Sequence, residues 1–185
     1  MADPITLWRA EHAYFNRLLL LLGKQVDVFR TGQRPNYDLM IDIITYLRDF
    51  TDKVHHPRED VAFVRLAKHL PDMDLTLARL VQEHRVIANA GENLHRLLTE
   101  ILGGAVIRRT ETEMAAATYL VYYGNHIARE EEIVLDRAAE ALTAEDWEAV
   151  KNAVPAISDP LSGDGLLTHY QELRRHLARE ARERP

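Results

Sequence analysis

Apolar residues recur every three or four positions along the N-terminal part of the chain. Asp3 and Pro4 favour a helix start, because the carboxylate can cap a helix and proline fits its first turn. One face is apolar except for a histidine, at positions Ile5, Trp8, His12, Phe15, Leu19, Leu22, Val26 and Phe29. Since an α-helix turns once in about 3.6 residues, the pattern predicts a long amphipathic helix that ends near Gly32.

The same arrangement recurs after Pro71 and Asp72. The apolar face there contains Leu77, Leu80, His84, Ile87, Gly91, Leu94, Leu98 and Ile101, and the helix is expected to end at Gly103 and Gly104. Relative to the histidine, these positions have the same offsets as those of the first helix. We therefore expect His12 and His84 to lie in the protein interior.

Two further predicted helices each carry a histidine followed four residues later by a glutamate. The first starts near Tyr37, and its inner face contains Met40, Ile44, Leu47, Thr51, His55, Glu59, Phe63, Leu66 and Leu70. The second starts after Thr110, and its inner face contains Ala115, Tyr119, Tyr122, His126, Glu130, Ile133 (or Val134) and Arg137. The spacing places each histidine and its glutamate on the same side of the helix. Sustained alternation with period two is absent from the sequence, so we predict no sheet.

These helices predict an all-α fold, an up-down antiparallel four-helix bundle, for residues 1–141, because loops of a few residues favour antiparallel neighbours. Residues 142–185 are expected to form a helical appendage that packs on the bundle. Thr143 and Asp146 resemble a capping box, which predicts a short helix containing Trp147. A Pro/Gly/Asp-rich loop is expected from Pro155 to Gly165, and a last helix after it, containing Leu166, Leu167, Tyr170, Leu173 and Leu177.

The composition narrows the classes of function. The chain has 185 residues, no cysteine and a net charge of −6. The lack of cysteine excludes disulfides, iron–sulfur clusters and thiolate zinc sites, and the negative charge argues against a nucleic-acid partner. The N-terminus lacks a signal-peptide pattern, and the longest aliphatic run, from Leu18 to Leu22, is too short to cross a membrane. The expected location is the cytoplasm.

The buried histidines and glutamates predict a metal site. Buried polar groups without partners cost free energy, and buried charges cost more, whereas a shared transition metal satisfies both kinds of group. The predicted metal ligands are His12, His55, Glu59, His84, His126 and Glu130. Apart from these ligands we predict no catalytic residue. The spacing alone is not specific, because His56/Asp60 and His176/Glu180 share it; the latter pair lies in an arginine-rich segment and is expected to be solvated.

His56 and Asp60 are an alternative pair of metal ligands to His55 and Glu59, with the same spacing but one residue further along the chain. The face that continues from His55 and Glu59 is the more apolar, so we expect His56 to lie behind the ligands or on the surface. Pro57 removes a backbone donor and predicts a kink at this point. We expect this kink to re-aim His55 and to be held by the metal.

Four elements together resemble the hemerythrin-like family, also described as HHE cation-binding domains. They are His12, the block HHPRED that contains His55 and Glu59, the dipeptide Glu83-His84, and the segment from His126 to Glu130. The resemblance covers roughly residues 5–140. It implies a four-helix bundle around a non-haem centre of two iron ions, with the glutamates bridging both irons and two histidines completing each. Manganese and zinc stay open, because imidazole and carboxylate suit them too.

This chain departs from the oxygen-carrying hemerythrins at one position. Those proteins have a second histidine on the third helix, four residues after the first, where this chain has Ala88. His95 is too far along the helix to replace it. Fewer nitrogen ligands favour binding or reduction of a small oxidant (O2, peroxide or nitric oxide) over reversible O2 carriage. The alternative is a sensor of iron, oxygen or redox state, or a regulatory interaction module without turnover.

Several points stay open at the level of sequence. Whether the protein is an enzyme, forms a homodimer or uses a reductant protein is not decided. Further residues near the predicted ligands are either additional ligands or donors, or ordinary solvated and core positions: Asp60, Glu83, Glu131, Tyr119, Tyr122 and Tyr123. Trp8 and Phe15 flank His12 and are expected to keep the site dry.

Overall fold

The computed structural model describes residues 4–155 and 168–183, and every regular element within them is helical. The first helix, α1, spans Pro4–Arg30. The turn after it contains Gly32, which adopts a φ of 88°. Glycine reaches this left-handed conformation without the steric cost that a side chain brings, which makes it a common helix terminator.

The second helical run is continuous from Tyr37 to His69 but changes its pitch. It comprises α2 (Tyr37–Tyr46), a π-helical segment (Leu47–His55) and α3 (His56–His69). The backbone N–H of His56 donates to the carbonyl of Thr51, five residues earlier, as π-helical turns require. The distortion predicted at Pro57 is therefore a widening of the turns before the proline. That a metal maintains it stays a prediction.

The third and fourth runs carry His84 and His126. A short 3-10 turn (Pro71–Met73) leads into α4 (Asp74–Leu102). After a loop come α5 (Arg109–Arg129), a second π-helical segment (Glu130–Val134) and α6 (Leu135–Ala141). Here the backbone N–H of Leu135 donates to the carbonyl of Glu130, again five residues earlier. Both wide segments thus lie beside a histidine–glutamate pair.

The helices pack through the faces that the apolar pattern predicts, with one correction. α4 packs against α5, α5 against α1, and both α2 and α3 against α4. In α5 the prediction was wrong by one position, because Ala116 and Tyr123 are buried whereas Tyr122 is 48% exposed. Of the two alternatives after Glu130, Val134 is buried and Ile133 is exposed. The widened turn beginning at Glu130 explains this last shift.

The C-terminal helices pack on different parts of the molecule. In α7 (Ala144–Lys151) Thr143 and Asp146 form the predicted capping box, and the helix packs against α3. Its Trp147 ring contacts the Trp8 ring of α1, with centroids 5.5 Å apart. The last helix, α8 (Thr168–Glu183), packs against α2 and α1.

Some C-terminal predictions fall on residues that the structure does not describe. Beyond Pro155, the predicted loop to Gly165 is among them, as are Leu166, Leu167 and the side chain of Glu180. The division into residues 1–141 and 142–185 stays a prediction. Among the described helices, none combines the length and the apolar character that a membrane crossing needs.

Candidate metal centre

All six predicted ligands are buried and lie close together. Each helical run contributes to the cluster: α1 contributes one residue, the second run two, α4 one and the fourth run two. The six are His12, His55, Glu59, His84, His126 and Glu130, and none is more than 5% exposed. That these side chains bind a metal remains a prediction; the structure brings their polar atoms within reach of one another.

The two oxygens of Glu59 face different histidines. Its Oε1 lies 3.1 Å from Nε2 of His55 and 3.3 Å from Nε2 of His12. Its Oε2 lies 3.5 Å from Nε2 of His84. The carboxylate therefore stands between histidines from opposite parts of the cluster.

Glu130 divides its oxygens in the same way. Its Oε1 lies 3.1 Å from Nε2 of His126 and 3.5 Å from Nε2 of His84. Its Oε2 lies 3.5 Å from Nε2 of His12. Two carboxylates thus separate two sets of imidazoles, and each carboxylate presents one oxygen to each set.

His56 joins the cluster, so the expectation that it could lie on the surface was wrong. It is 4% exposed, and its ring stacks on that of His84 with centroids 4.1 Å apart. A ligand atom of His56 lies within 4.8 Å of ligand atoms of Glu59, His84 and His126. The cluster therefore contains five imidazoles. We call His12 and His55 the two-histidine group, and His56, His84 and His126 the three-histidine group.

The inner polar atoms are suited to a cation. Both oxygens of Glu59 and of Glu130, and Nε2 of His84 and His126, are buried without a partner of good hydrogen-bond geometry in the described part of the chain. Buried carboxylates without partners are costly, and a shared cation compensates them. Imidazole nitrogen with carboxylate oxygen is a donor set that suits iron, manganese and zinc. The residues therefore fit a metal centre.

A comparison with protein-family models supports this chemistry. The model described as the hemerythrin HHE cation-binding domain matches residues 3–138. The chain belongs to the hemerythrin family. This confirms the family predicted from the sequence. Searches of curated proteins and of solved structures found no match.

Charged neighbours shift the pKa values of the buried groups in the two-histidine group of the hemerythrin centre. Burial alone would lower the pKa of His55, but the carboxylates of Glu59 and Glu11 outweigh it and raise that pKa to about 10. Glu59 likewise raises the pKa of His12 against the effect of burial. Burial would raise the pKa of Glu59, but the surrounding histidines hold it well below its ordinary range. The protonated form of His55 and the ionised form of Glu59 thus stabilise each other.

In the three-histidine group, the pKa values of His84 and His56 shift in opposite directions. Burial would lower the pKa of His84, but Asp60, Glu130 and Glu59 raise it to about 11. For His56, burial together with the charge of His84 holds the pKa well below its ordinary value. His56 is therefore neutral at physiological pH, which leaves a lone pair for coordination.

The outer nitrogen of each ring meets a carboxylate. Nδ1 of His55 lies 2.6 Å from Glu11. Nδ1 of His84 lies 2.7 Å from Asp60, and Nδ1 of His12 lies 2.8 Å from Glu131. Nδ1 of His126 lies 3.3 Å from Glu83, and Nδ1 of His56 lies 3.4 Å from Asp52. Asp60, Glu83 and Glu131, which the sequence left open as ligands, thus contact the histidines from behind. Their partial exposure agrees with the polar positions they occupy in the sequence.

Aromatic rings surround the hemerythrin centre. Phe15 lies 5.0 Å from His55, centroid to centroid, and Trp8 lies 6.2 Å from the same ring. Tyr123 is buried, with its ring 5.9 Å from His56, and burial raises its pKa well above the ordinary value. Tyr119 contacts Tyr123 one layer further out, at 5.6 Å. The exposure of Tyr122 excludes it from the centre.

Proposed function

We propose that this hemerythrin domain holds two iron ions and uses them to bind or reduce a small oxidant: O2, peroxide or nitric oxide. The arrangement of Glu59 and Glu130 carries the proposal. Each carboxylate presents one oxygen to the two-histidine group and the other to the three-histidine group. A bridge of this kind suits two adjacent metal positions better than one.

The two positions have unequal donor sets. The first metal ion would be held by the two-histidine group and the second by the three-histidine group, with Glu59 and Glu130 facing both. His56 supplies the nitrogen that Ala88 cannot. Because the two-histidine group offers fewer protein donors, a metal held there would have more room for the oxidant.

The chain's own residues shape the chemistry around this centre. When bound, iron supplies electrons and Lewis acidity. Trp8 and Phe15 lie against His55 and exclude water from the two-histidine side. Burial holds the pKa of Tyr123 well above its ordinary value, so the phenol stays protonated beside His56 and can donate a hydrogen bond near the centre. These are the roles of a site for a small, neutral or weakly polar ligand.

We further propose that the four helical runs form the up-down bundle expected from the sequence. Its support is that α1, the α2–α3 run, α4 and the α5–α6 run all contribute side chains to one buried cluster. The observed packing of α4 on α5, α1 on α5 and α2 on α4 agrees with this arrangement.

Metal analysis tests the proposed function directly. Protein from iron-supplied cells should carry about two irons per chain and show near-ultraviolet charge-transfer bands. Glu59→Ala and Glu130→Ala should lower the iron content sharply, because each removes a donor from both positions. Glu100→Ala is the matched control, since Glu100 is 43% exposed and pairs with Arg96 on the same helix.

Two results would contradict the proposal. Less than about one iron per chain in the wild-type protein, with no charge-transfer bands, would overturn the di-iron assignment. Equal iron loss in Glu100→Ala and Glu59→Ala would show that the loss is not specific to the centre.

A sensor is the second candidate, favoured by one contact. Trp147 of α7 touches Trp8, which in turn touches His55, so α7 is connected to the two-histidine group. Changes in that group can therefore reach α7. A catalyst consumes peroxide over many turnovers. A sensor instead shows metal-dependent protection of the α7 amides from hydrogen exchange, with negligible turnover.

A further inference from the structure

The five outer carboxylates are not equivalent, because their own partners differ. Glu83, behind His126, is bonded by two arginines: Arg79 Nε lies 2.9 Å away, and Arg129 lies closer still. An arginine bonded this closely withdraws much of the negative charge from a carboxylate. Glu83 therefore donates little electron density to its histidine, and the 3.3 Å separation weakens the contact further.

Glu11 and Glu131 have the opposite character. Their closest contacts are the histidines themselves, at 2.6 and 2.8 Å. Their arginine neighbours, Arg58 and Arg9, stand off at 3.7 Å. Most of the carboxylate charge is therefore directed at the imidazole N–H. Both carboxylates serve the two-histidine group, Glu11 through His55 and Glu131 through His12.

The remaining two carboxylates lie behind the three-histidine group, and the distances at which they accept from its rings differ. Asp60 lies 2.7 Å from His84, as close as the carboxylates behind the two-histidine group, but it is 41% exposed against 33% for Glu131, so solvent screens its charge somewhat more. Asp52 lies 3.4 Å from His56, at the limit of a hydrogen bond. Both rings of the two-histidine group thus have a close, little-neutralised carboxylate behind them, whereas only one of the three rings in the other group does.

A hydrogen bond from imidazole Nδ1–H to a carboxylate has two effects. It orients the ring with Nε2 towards the metal, and it makes that nitrogen a stronger electron donor. We propose that Glu11 and Glu131 are positioning residues that make the two-histidine position the electron-rich member of the metal pair. This inference rests on the proposed function, and it assigns the difference between the two positions to residues outside the ligand set.

A competing explanation is that these glutamates only orient the rings. Glu11→Gln and Glu131→Gln separate the two effects, because glutamine keeps a hydrogen-bond acceptor and removes the charge. Glu83→Gln is the matched control: it makes the same change behind a histidine, at a carboxylate that arginines already neutralise. Glu131 is 33% exposed, so its variant is suitable if the more buried Glu11 variant folds poorly.

The readout is the reduction potential of the iron-loaded, full-length protein, measured by redox titration of its optical bands, together with iron content. Removing a negative charge disfavours the oxidised metal. We expect Glu11→Gln and Glu131→Gln each to lower the preference for the ferric state by about tenfold. For a one-electron step this is a rise in the reduction potential of about 59 mV. Glu83→Gln should shift the potential clearly less.

The outcomes separate this inference from the proposed function. If the wild-type protein binds no iron, the proposed function fails. If it binds iron, and Glu131→Gln shifts the potential no more than Glu83→Gln does, the inference is overturned and the proposed function stands. A fall in potential in Glu11→Gln or Glu131→Gln would also overturn it, because loss of negative charge cannot favour the ferric state.

Discussion

At the scale of the residue, the neighbours His55 and His56 serve different parts of the centre. Adjacent side chains on an α-helix point about 100° apart, so both rarely enter one cluster. Here His55 faces Glu59 and His12, whereas His56 stacks on His84. The dipeptide therefore supplies one imidazole to each group. This is possible because the helix at this point lies against the centre and is widened.

A first prediction concerns His56. His56→Ala removes one of the three imidazoles of its group, so we expect iron to fall from about two per chain to about one. His95→Ala is the control, because His95 lies eleven residues beyond His84 on the same helix and outside the cluster. Iron analysis of both variants checks this. Full iron occupancy in His56→Ala would mean that His56 packs beside the centre without binding metal.

The sequence predicts burial of the six inner residues because each lies on an apolar helical face. It does not predict the contacts of Glu11 or Glu131, which occupy polar positions at the edge of such faces. A half-exposed carboxylate looks the same in the sequence whether it meets water or a histidine. For a related reason the sequence left open whether His56 lies behind the ligands or on the surface, since an α-helical register forces a choice between neighbours; its burial excludes the surface.

At the scale of the element, both π-helical segments coincide with a sequence signal. Leu47, Thr51, His55, Glu59 and Phe63 follow one another in steps of four, and all are buried. In an ideal α-helix each step of four drifts by about 40°, so this series cannot stay on one face. Wider turns absorb the drift. Such a series is therefore a signal for the widened helix. The widened turn at Glu130 likewise explains why Val134 is buried and Ile133 is not, the two positions that the sequence left open.

A second prediction concerns the contact between α4 and α5. A Cβ added at Gly91 would lie 2.9 Å from Cε2 of Tyr119, a ring that is 1% exposed and packed on Tyr123. Overpacking of this kind costs about 1–3 kcal/mol, which outweighs the gain in helix propensity of about 1 kcal/mol. We therefore expect Gly91→Ala to lower the free energy of unfolding, as measured by urea titration.

Gly124→Ala is the control for this prediction. Gly124 also lies inside a helix, but an added Cβ there meets nothing within 4 Å among the described atoms. The gain in helix propensity is then unopposed, so this variant should be stabilised by up to about 1 kcal/mol. Equal effects of the two substitutions would show that the Tyr119 ring moves aside at no cost.

At the scale of the whole molecule, the sequence predicts the helical fold and the family, but not how the C-terminal helices dock. The docking of α7 depends on contacts between distant residues. Asp146 accepts hydrogen bonds from Arg65 at 2.8 Å and from His69 at 2.9 Å while it also caps α7. The capping box is local and was predicted correctly. Its long-range partners leave no trace in the periodicity of the chain.

A third prediction concerns the pH dependence of the metal-free protein. The folded protein holds protons on His55 and His84, whose pKa values are raised to about 10 and about 11, whereas the unfolded chain releases them near 6.5. Stability from these protons is complete below pH 6.5 and is lost as the pH rises through the folded values. We expect the free energy of unfolding to fall between these limits, by up to about 1.4 kcal/mol per pH unit for each histidine.

Chelator-treated protein and iron-loaded protein should therefore respond differently to alkali. Bound metal displaces the histidine protons, so the iron-loaded protein should show little of this slope. Urea titrations at intervals between pH 6.5 and 9.5 compare the two forms. A metal-free protein with constant stability across this range would contradict the raised pKa values.

The contact between Trp8 and Trp147 has one further consequence. The chain contains two tryptophans, and both lie in this single contact, next to His55. Intrinsic fluorescence excited at the indole band therefore reports one corner of the molecule, where α1, α7 and the two-histidine group meet. The protein carries its own optical probe at that place, and emission changes there need no label to be assigned.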